Sequence, residues 1–312
     1  RSPPFARKQN LYKIFLFSTQ NLFFFCNFFH SVFGIMLRLS QSSFTLAFLT
    51  FLTSTLLWAS VISHQLQEEC EFDYIGGSNK GPTKWGAIKR EWANCNYGKM
   101  QSPIDLSTKT IQVVNSMGQL NKRYIPFGAI LKNRGHDVSV GWEGNAGSIE
   151  INGTQYFLKQ THWHSPSEHT INGKRYDLEL HVVHQSSNPN AKYPLAVVSF
   201  LYEIGPPDSF LSKVSREIKE LSHGKKDQMK LGSINPNEIR RGGINYYRYV
   251  GSLTVPPCTE GVIWSINKQI GTVSQEQVML LRSVVEHCAE KNARPIQPLN
   301  GRQVVQLYDP NP

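Results

Sequence analysis

Beyond residue 69 the hydrophobic and polar positions alternate over short stretches rather than recurring every three or four residues. Asp137–Trp142, Ser148–Ile151, Gln155–Gln160, Leu178–His184 and Ala196–Glu203 alternate or are rich in β-branched and aromatic residues. That is the pattern of strands with one or both faces covered. Gly144-Asn145, Asn152-Gly153 and Asn172-Gly173 punctuate them, and Asn-Gly is the dipeptide that two-residue hairpin turns favour. Only Ser209–Ser222 and Ser274–Glu290 read as helices. In the second, Ser274 with Gln277 has the form of a capping box, and Val278, Leu281, Val285 and Cys288 fall on one stripe. The expectation is a mostly β fold in a single domain, with a large, predominantly antiparallel central sheet and a few peripheral helices.

Residues 1–69 follow a different pattern. Residues 11–33 are rich in Phe and carry no folding periodicity. Met36 then opens the layout of a secretory leader: Arg38 as a short basic region, the uncharged apolar run Phe44–Ile62, small residues Ala59, Ser60 and Ser63, and polar Gln65–Glu69. We expect residues 1–35 to be a non-coding or unstructured extension, 36–65 to be a signal peptide cut between 59 and 66, and 70–312 to be the catalytic domain. An uncleaved anchor is the alternative, because an apolar run of this length can just span a bilayer.

Composition narrows the function classes. The 312 residues are 40% hydrophobic and 11% aromatic. The part beyond the leader, about 240 residues, is enough for one well-buried domain and short for two. The formal net charge is +10, but no dense basic run accompanies it, and Lys225–Lys226 is only a pair. A solvated basic surface accounts for this, and nucleic-acid binding is set aside. Cysteines stand at 26, 70, 95, 258 and 288, and the secretory reading allows a disulfide among them.

The chemistry is concentrated in histidines. Six of the eight beyond the leader lie between positions 136 and 184. In Gln160-Thr161-His162-Trp163-His164, residues two apart share a strand face, so Gln160, His162 and His164 point one way and Trp163 the other. On the strand Asp177–His184, Glu179, His181 and Val183 share a face, and His184 looks away. If the two faces coincide, three imidazoles converge, leaving a tetrahedral zinc one open position, as in a catalytic site. Gln160 and Glu179 then stand where acceptors are needed to fix the ligand tautomers. On spacing alone, histidines hydrogen-bonded within a sheet fit as well. The His-Glu-x-x-His motif is absent. A cupin pattern is met only formally by His162, His164 and Glu168, because Tyr156, Tyr176 and Leu178 stand where that family wants other residues.

Taken together, Gly81-Pro82 with Trp85, Gln101-Ser102-Pro103-Ile104-Asp105, Gly135-His136, Gln160-x-His162-Trp163-His164, Ser167-Glu168-His169-Thr170, Glu179-Leu180-His181-x-Val183-His184, Tyr249-x-Gly251-Ser252-Leu253-Thr254-x-Pro256-Pro257-Cys258 and Trp264 resemble the α-type carbonic anhydrases, most of all their plant secreted members. The likeness runs from about Tyr74 to Pro298. It implies a central sheet of about ten strands with Zn2+ at the bottom of a conical cleft. It also implies reversible hydration of carbon dioxide to bicarbonate and a proton by attack of a zinc-bound hydroxide.

Carried over position by position, His162, His164 and His181 match the zinc ligands, with Gln160 and Glu179 behind them. Thr254 matches the hydroxyl that accepts a hydrogen bond from the nucleophile and whose backbone N–H holds bicarbonate. Glu168 matches the carboxylate that takes the Thr254 proton. His136 matches the proton shuttle. Val183, Val197, Leu253, Val262 and Trp264 match the apolar wall for carbon dioxide, a substrate with no charge to grip. Cys95 and Cys258 match the bridged pair, while Cys70 and Cys288 find no partner in the family. Two departures stand out. By the resemblance Gly76 stands in place of the family's cleft tyrosine, with Tyr74 two residues earlier, and Arg134 and Ser139 align with asparagines that flank the shuttle. Some relatives, tuber storage and binding proteins among them, have lost metal ligands. This chain keeps all three, so an enzyme is expected, with a catalytically weak storage or binding protein as the alternative. The expected setting is secreted, in the apoplast, or the chloroplast by the secretory route. Asn152-Gly153-Thr154 is the only N-glycosylation sequon, and no membrane span is expected after leader cleavage.

Overall fold

A computed structural model of the chain describes residues 70–109, 111–114, 120–188, 190–222, 227–239 and 245–307. The expected extension (1–35), signal peptide (36–65) and Cys26 lie outside them. The strands are β1 (Asp105–Leu106), β2 (Gln112–Val114), β3 (Asn121–Tyr124), β4 (Phe127–Asn133), β5 (Val138–Trp142), β6 (Gly147–Ile151), β7 (Thr154–His164), β8 (Thr170–Ile171), β9 (Lys174–Arg175), β10 (Leu178–Ser186), β11 (Leu195–Ile204), β12 (Gln228–Ile234), β13 (Tyr246–Ser252), β14 (Glu260–Asn267), β15 (Gly271–Val273) and β16 (Val305–Leu307). The helices are α1 (Trp85–Ile88), α2 (Asn94–Tyr97), α3 (Ser209–Ser222) and α4 (Gln275–Val284).

The main sheet has 13 strands. A continuous path runs β12-β4-β5-β7-β10-β11-β14-β13-β16-β2, with β3, β6 and β15 attached at its flanks. Among the described residues of this sheet, only β11–β14, β11–β15 and β16–β2 pair in parallel. The sheet is therefore mixed but predominantly antiparallel. Both Asn-Gly pairs form hairpin turns. Asn152 and Gly153 have φ of 50° and 74°, and Asn172 and Gly173 have 50° and 76°, the two left-handed residues that a type I′ turn demands.

β7, β10 and β11 are long and central, and alternation along them sends side chains to two different cores. On the back face, Leu158, Trp163, Leu180, Val182, Val198 and Phe200 join the larger hydrophobic cluster, which α3 and α4 cover. Phe210, Leu211, Val214, Ile218 and Leu221 of α3 are all buried there, and Phe210 stacks on Trp163 with ring centroids 6.1 Å apart. The backbone N–H of Leu211 donates to Asp208 Oδ1 at 2.7 Å, which caps the helix. The front face carries the histidines.

α4 begins as expected, with the Ser274–Gln277 capping box formed. It ends at Val284, short of the expected Glu290. The buried stripe is Val278, Leu281 and Val284 rather than one continuing through Val285 and Cys288. Val285 turns extended, with φ −86° and ψ 166°, and the chain then follows another constraint. The N–H of Glu286 donates to the Gly135 carbonyl at 2.8 Å and that of Tyr74 to the Cys288 carbonyl at 3.1 Å. A disulfide joins Cys288 to Cys70 across 218 residues. This bridge was not assigned from the sequence. A second disulfide joins Cys95 to Cys258, as the resemblance implied.

Candidate metal centre

His162 and His181 are direct cross-strand partners, and His164 is paired with Glu179. That register makes the histidine faces of β7 and β10 coincide. The three rings are buried, with centroids 4.6 to 5.1 Å apart. His184 faces away, as expected. It is buried against Tyr124, whose hydroxyl lies 2.7 Å from its Nε2, and burial lowers its pKa to about 3.

Each ring of the triad has one nitrogen committed to an acceptor. Gln160 Oε1 lies 3.0 Å from His162 Nδ1, the Asn292 carbonyl 2.7 Å from His164 Nδ1, and Glu179 Oε1 2.8 Å from His181 Nε2. Those ring nitrogens therefore carry the protons, leaving His162 Nε2, His164 Nε2 and His181 Nδ1 as lone pairs. Burial lowers the pKa of all three imidazoles, so they are neutral. One ligand atom from each ring lies within 4.8 Å of the others. His181 Nδ1 and His162 Nε2 stand 3.3 Å apart with no proton to share, and His164 Nε2 is buried without a hydrogen-bond partner. Such a cluster is repulsive until a cation lies among the lone pairs. Two nitrogens bound to one tetrahedral zinc at ~2.0–2.1 Å are about 3.3 Å apart, so the donor set fits that ion. His169, Glu179 and His181 form a second close group, but their atoms are already engaged in hydrogen bonds.

Glu179 organises the ground behind the triad. Its Oε1 accepts from His181, from His169 Nδ1 at 2.7 Å and from the Ser199 hydroxyl at 2.6 Å. Its Oε2 accepts the backbone N–H groups of Glu168 and His169, each at 2.8 Å. Burial alone would raise its pKa, but His169 and His181 hold it well below the usual range. His169 Nε2 in turn lies 2.7 Å from the Tyr249 hydroxyl, and Tyr249 meets Ser102 Oγ at 2.7 Å. The motif Gln101–Asp105 is thereby tied to the metal centre.

Glu168 is fully buried, and burial pushes its pKa up to about 7. Its Oε1 accepts the Arg294 N–H at 2.9 Å. Its Oε2 lies 3.5 Å from His164 Nε2, and both atoms lack a hydrogen-bond partner. The Thr254 hydroxyl stands beside the carboxylate and favours its charged form, without closing a bond of normal geometry to Oε2. Val197, Val262 and Trp264 form one hydrophobic cluster on this face, with Val183 and Leu253 packed against it. The Trp264 ring centroid is 4.8 Å from that of His181.

His136 stands apart from the triad at the entry to β5. Phe72 packs 5.4 Å from its ring, and burial lowers its pKa. The ring is half-buried. Gly76 is exposed with open space around it, whereas the Tyr74 hydroxyl is buried. Burial raises its pKa, with Glu168 and Asp137 adding to the effect. Sequence reasoning also missed Asn292, Arg294, Ser199 and Asp137. Asn292 and Arg294 lie in the Asn292-Ala293-Arg294-Pro295 stretch, which has no periodicity and only one local signal, polar residues buried near the C-terminus. Asn152 sits exposed at the tip of the β6–β7 hairpin.

Comparison with known proteins adds the lineage. The profile of eukaryotic-type carbonic anhydrase matches residues 80–308. The chain is 45% identical over 268 residues to alpha carbonic anhydrase 7 of Arabidopsis thaliana, covering 86% of this chain and 96% of that protein. It is 47% identical, with the same coverage, to carbonic anhydrase Nec1 of Nesocodon mauritianus. Among solved structures it is similar to dioscorin complexed with ascorbate, with TM-score 0.74 and 43% identity, covering 78% of this chain and 100% of that one.

Proposed function

Because the chain belongs to the eukaryotic-type carbonic anhydrase family, we propose that it reversibly hydrates carbon dioxide to bicarbonate and a proton at a zinc ion held by His162, His164 and His181. The observation that supports this reading is three unprotonated ring nitrogens facing one point, each ring fixed from behind by an acceptor. Zinc held there would bring the pKa of a coordinated water to about 7, a value established for carbonic anhydrase itself rather than derived from this geometry, and so supply a nucleophile at neutral pH.

The remaining work falls to the protein. In its carboxylate form Glu168 can only accept, so it accepts a hydrogen bond from the Thr254 hydroxyl and leaves the Thr254 oxygen as acceptor toward the nucleophile. Val183, Val197, Leu253, Val262 and Trp264 hold carbon dioxide by dispersion and exclude water from it. The Thr254 N–H holds a bicarbonate oxygen. The test is direct: purified protein should hydrate carbon dioxide, lose the activity when its metal is chelated, and regain it with zinc. Activity surviving complete metal removal would contradict the reading. A catalytically weak storage or binding protein is the second reading, favoured by the similarity to dioscorin, and the same assay separates the two.

His136 is the proposed proton relay. A group of pKa about 7 releases its proton directly to water at no more than on the order of 10²–10³ s⁻¹. Faster turnover needs a matched acceptor, and an imidazole is the suitable side chain. His136→Ala should therefore lower kcat in dilute buffer, leave kcat/KM nearly unchanged and be rescued by added imidazole. An unchanged kcat in dilute buffer would remove His136 from the relay.

We also propose secretion with loss of the leader, and a glycan on Asn152. Two disulfides suit an oxidising compartment, and the hairpin tip leaves Asn152 open to modification. Among the described residues no helix is long and apolar enough to cross a membrane. The intact mass of protein from secreting plant cells, before and after glycan removal, reads both; a retained leader or an unshifted mass would count against them.

A further inference from the structure

We propose that Cys70, Cys288 and Glu286 form a second metal site, closed while the two cysteines are bridged, opened by a dithiol reductant and then filled by a thiophilic divalent cation of the zinc class. It shares no residue with the histidine triad and does not depend on the reaction proposed above. The two bridges of the chain differ in exposure. Cys95 and Cys258 are buried, whereas Cys70 and Cys288 are only half-buried. A reductant in solution therefore reaches the Cys70–Cys288 pair first, because thiol–disulfide exchange needs access to a sulfur. Lys80 Nζ donates to the Cys70 carbonyl at 3.1 Å. A cation on that side favours the thiolate, the form in which cysteine binds a metal.

The donor geometry fits an ion once the bridge is open. One ligand atom from each of Cys70, Glu286 and Cys288 lies within 4.8 Å of the others. Glu286 Oε2 stands 3.8 Å from the Cys288 sulfur. A tetrahedral zinc with Zn–S ~2.3 Å and Zn–O ~2.0–2.2 Å places such a pair about 3.6 Å apart. The carboxylate is therefore already at a ligand's distance from that sulfur. Its other oxygen lies against Gly135, where a Cβ would meet it at 2.6 Å, and the Glu286 N–H donates to the Gly135 carbonyl at 2.8 Å. The Cα atoms of Cys70 and Cys288 are 6.6 Å apart, toward the wide end of what a bridge spans. Parted sulfurs thus leave room for an ion between them. Two thiolates with one carboxylate select zinc-like cations over calcium or magnesium, and water completes the shell.

To open the site, a thiolate of the reductant attacks one bridge sulfur, the S–S bond breaks and a mixed disulfide forms. The reductant's second thiol then closes its own disulfide and releases the other cysteine. Two electrons pass to the bridge, and the reductant leaves oxidised. The cation takes both sulfurs as thiolates and releases two protons. The position in the fold gives such an ion a structural task. Phe72, two residues after Cys70, packs against Trp85, Trp92 and His136. The Tyr74 N–H donates to the Cys288 carbonyl at 3.1 Å. Beyond Cys288, Asn292 Nδ2 donates to the His136 carbonyl at 2.9 Å, and the Asn292 carbonyl holds His164. The bridge thus joins two segments beside the histidine centre. An ion held by the same two sulfurs keeps them joined after reduction.

The test is a cadmium titration of the zinc-loaded full protein, followed by the ultraviolet charge-transfer band of thiolate bound to cadmium. The histidine centre contains no sulfur and gives no such band. The oxidised protein should show none. After treatment with a dithiol, with the Cys95–Cys258 bridge checked by peptide mapping, the band should saturate at a single cadmium per chain, and added zinc should compete it away. Cys70→Ser should abolish the band. Glu286→Gln should weaken cadmium binding at least ~10-fold, the lower end of what even an outer partner of a metal ligand is worth. Dependence on Cys70 decides the matter even where both bridges open. If Cys70→Ser does not fold, alkylation of the reduced wild type takes its place and should remove the band. Four results would each overturn the proposal: no band in the reduced protein, a band that survives Cys70→Ser or alkylation, an affinity unchanged in Glu286→Gln, or a bridge that no dithiol opens while the protein stays folded.

Discussion

Replacing Cys95 and Cys258 together by serine is expected to lower the melting temperature by about 5–20 °C and to reduce activity as well. The bridge closes a loop of 163 residues. Removing a native disulfide costs about 2–5 kcal/mol, and the chain-entropy account puts a loop this long near the top of that range. For a domain of this size each kcal/mol is worth about 2–4 °C. Both cysteines are buried with Trp85 and Trp92 in one small cluster. Activity should suffer through two routes. Cys258 closes the turn that follows Thr254, its N–H donating to the Val255 carbonyl at 2.8 Å. The Cys95 carbonyl accepts from Arg294 at 2.7 Å, and the Arg294 backbone N–H holds Glu168. Differential scanning calorimetry and peptide mapping without reduction check this. Two free thiols in the wild type, or an unchanged melting temperature in the variant, would refute it.

Much of the site was legible in the sequence because it lies on regular strands. A period of two fixes which side chains share a face, so Gln160, His162 and His164 had to point together, as did Glu179, His181 and Val183. What the pattern alone left open was the register between the strands, and the His162–His181 pairing closed that gap. The less legible parts lie where no period operates. Asn292 and Arg294 sit in an irregular segment whose partners are more than a hundred residues away. Cys70 and Cys288 pair across 218 residues, a distance over which spacing says nothing. The C-terminal end of α4 was missed for a related reason. The apolar stripe can be continued on paper past Val284, but the backbone of Glu286 is drawn off to Gly135.

Glu179→Gln is expected to weaken zinc binding by about 10–100-fold and to destabilise the fold by about 3–5 kcal/mol. Five donors converge on this carboxylate, from His181, His169 twice, Ser199 and Glu168. An amide of the same shape turns one acceptor oxygen into a donor, so at least one set of these donors faces an N–H. Residues that orient a ligating histidine are worth about 10–100-fold in metal affinity. Breaking one side of a buried, charge-assisted network costs about 3–5 kcal/mol. Zinc competition with a chromophoric chelator measures the first effect and denaturant unfolding the second. An affinity and a midpoint both equal to the wild type would mean that Glu179 does not set the His181 tautomer.

The central claim is that His162, His164 and His181 hold one catalytic zinc. Metal analysis of the purified protein by mass spectrometry, with a carbon dioxide hydration assay on the same sample, tests it most directly. The account predicts about one zinc per chain, and loss of both zinc and hydration activity in His162→Ala while the thiol-free state of Cys95 and Cys258 is retained. A wild-type protein fully active without metal, or a His162→Ala variant that keeps both its zinc and its activity, would contradict it.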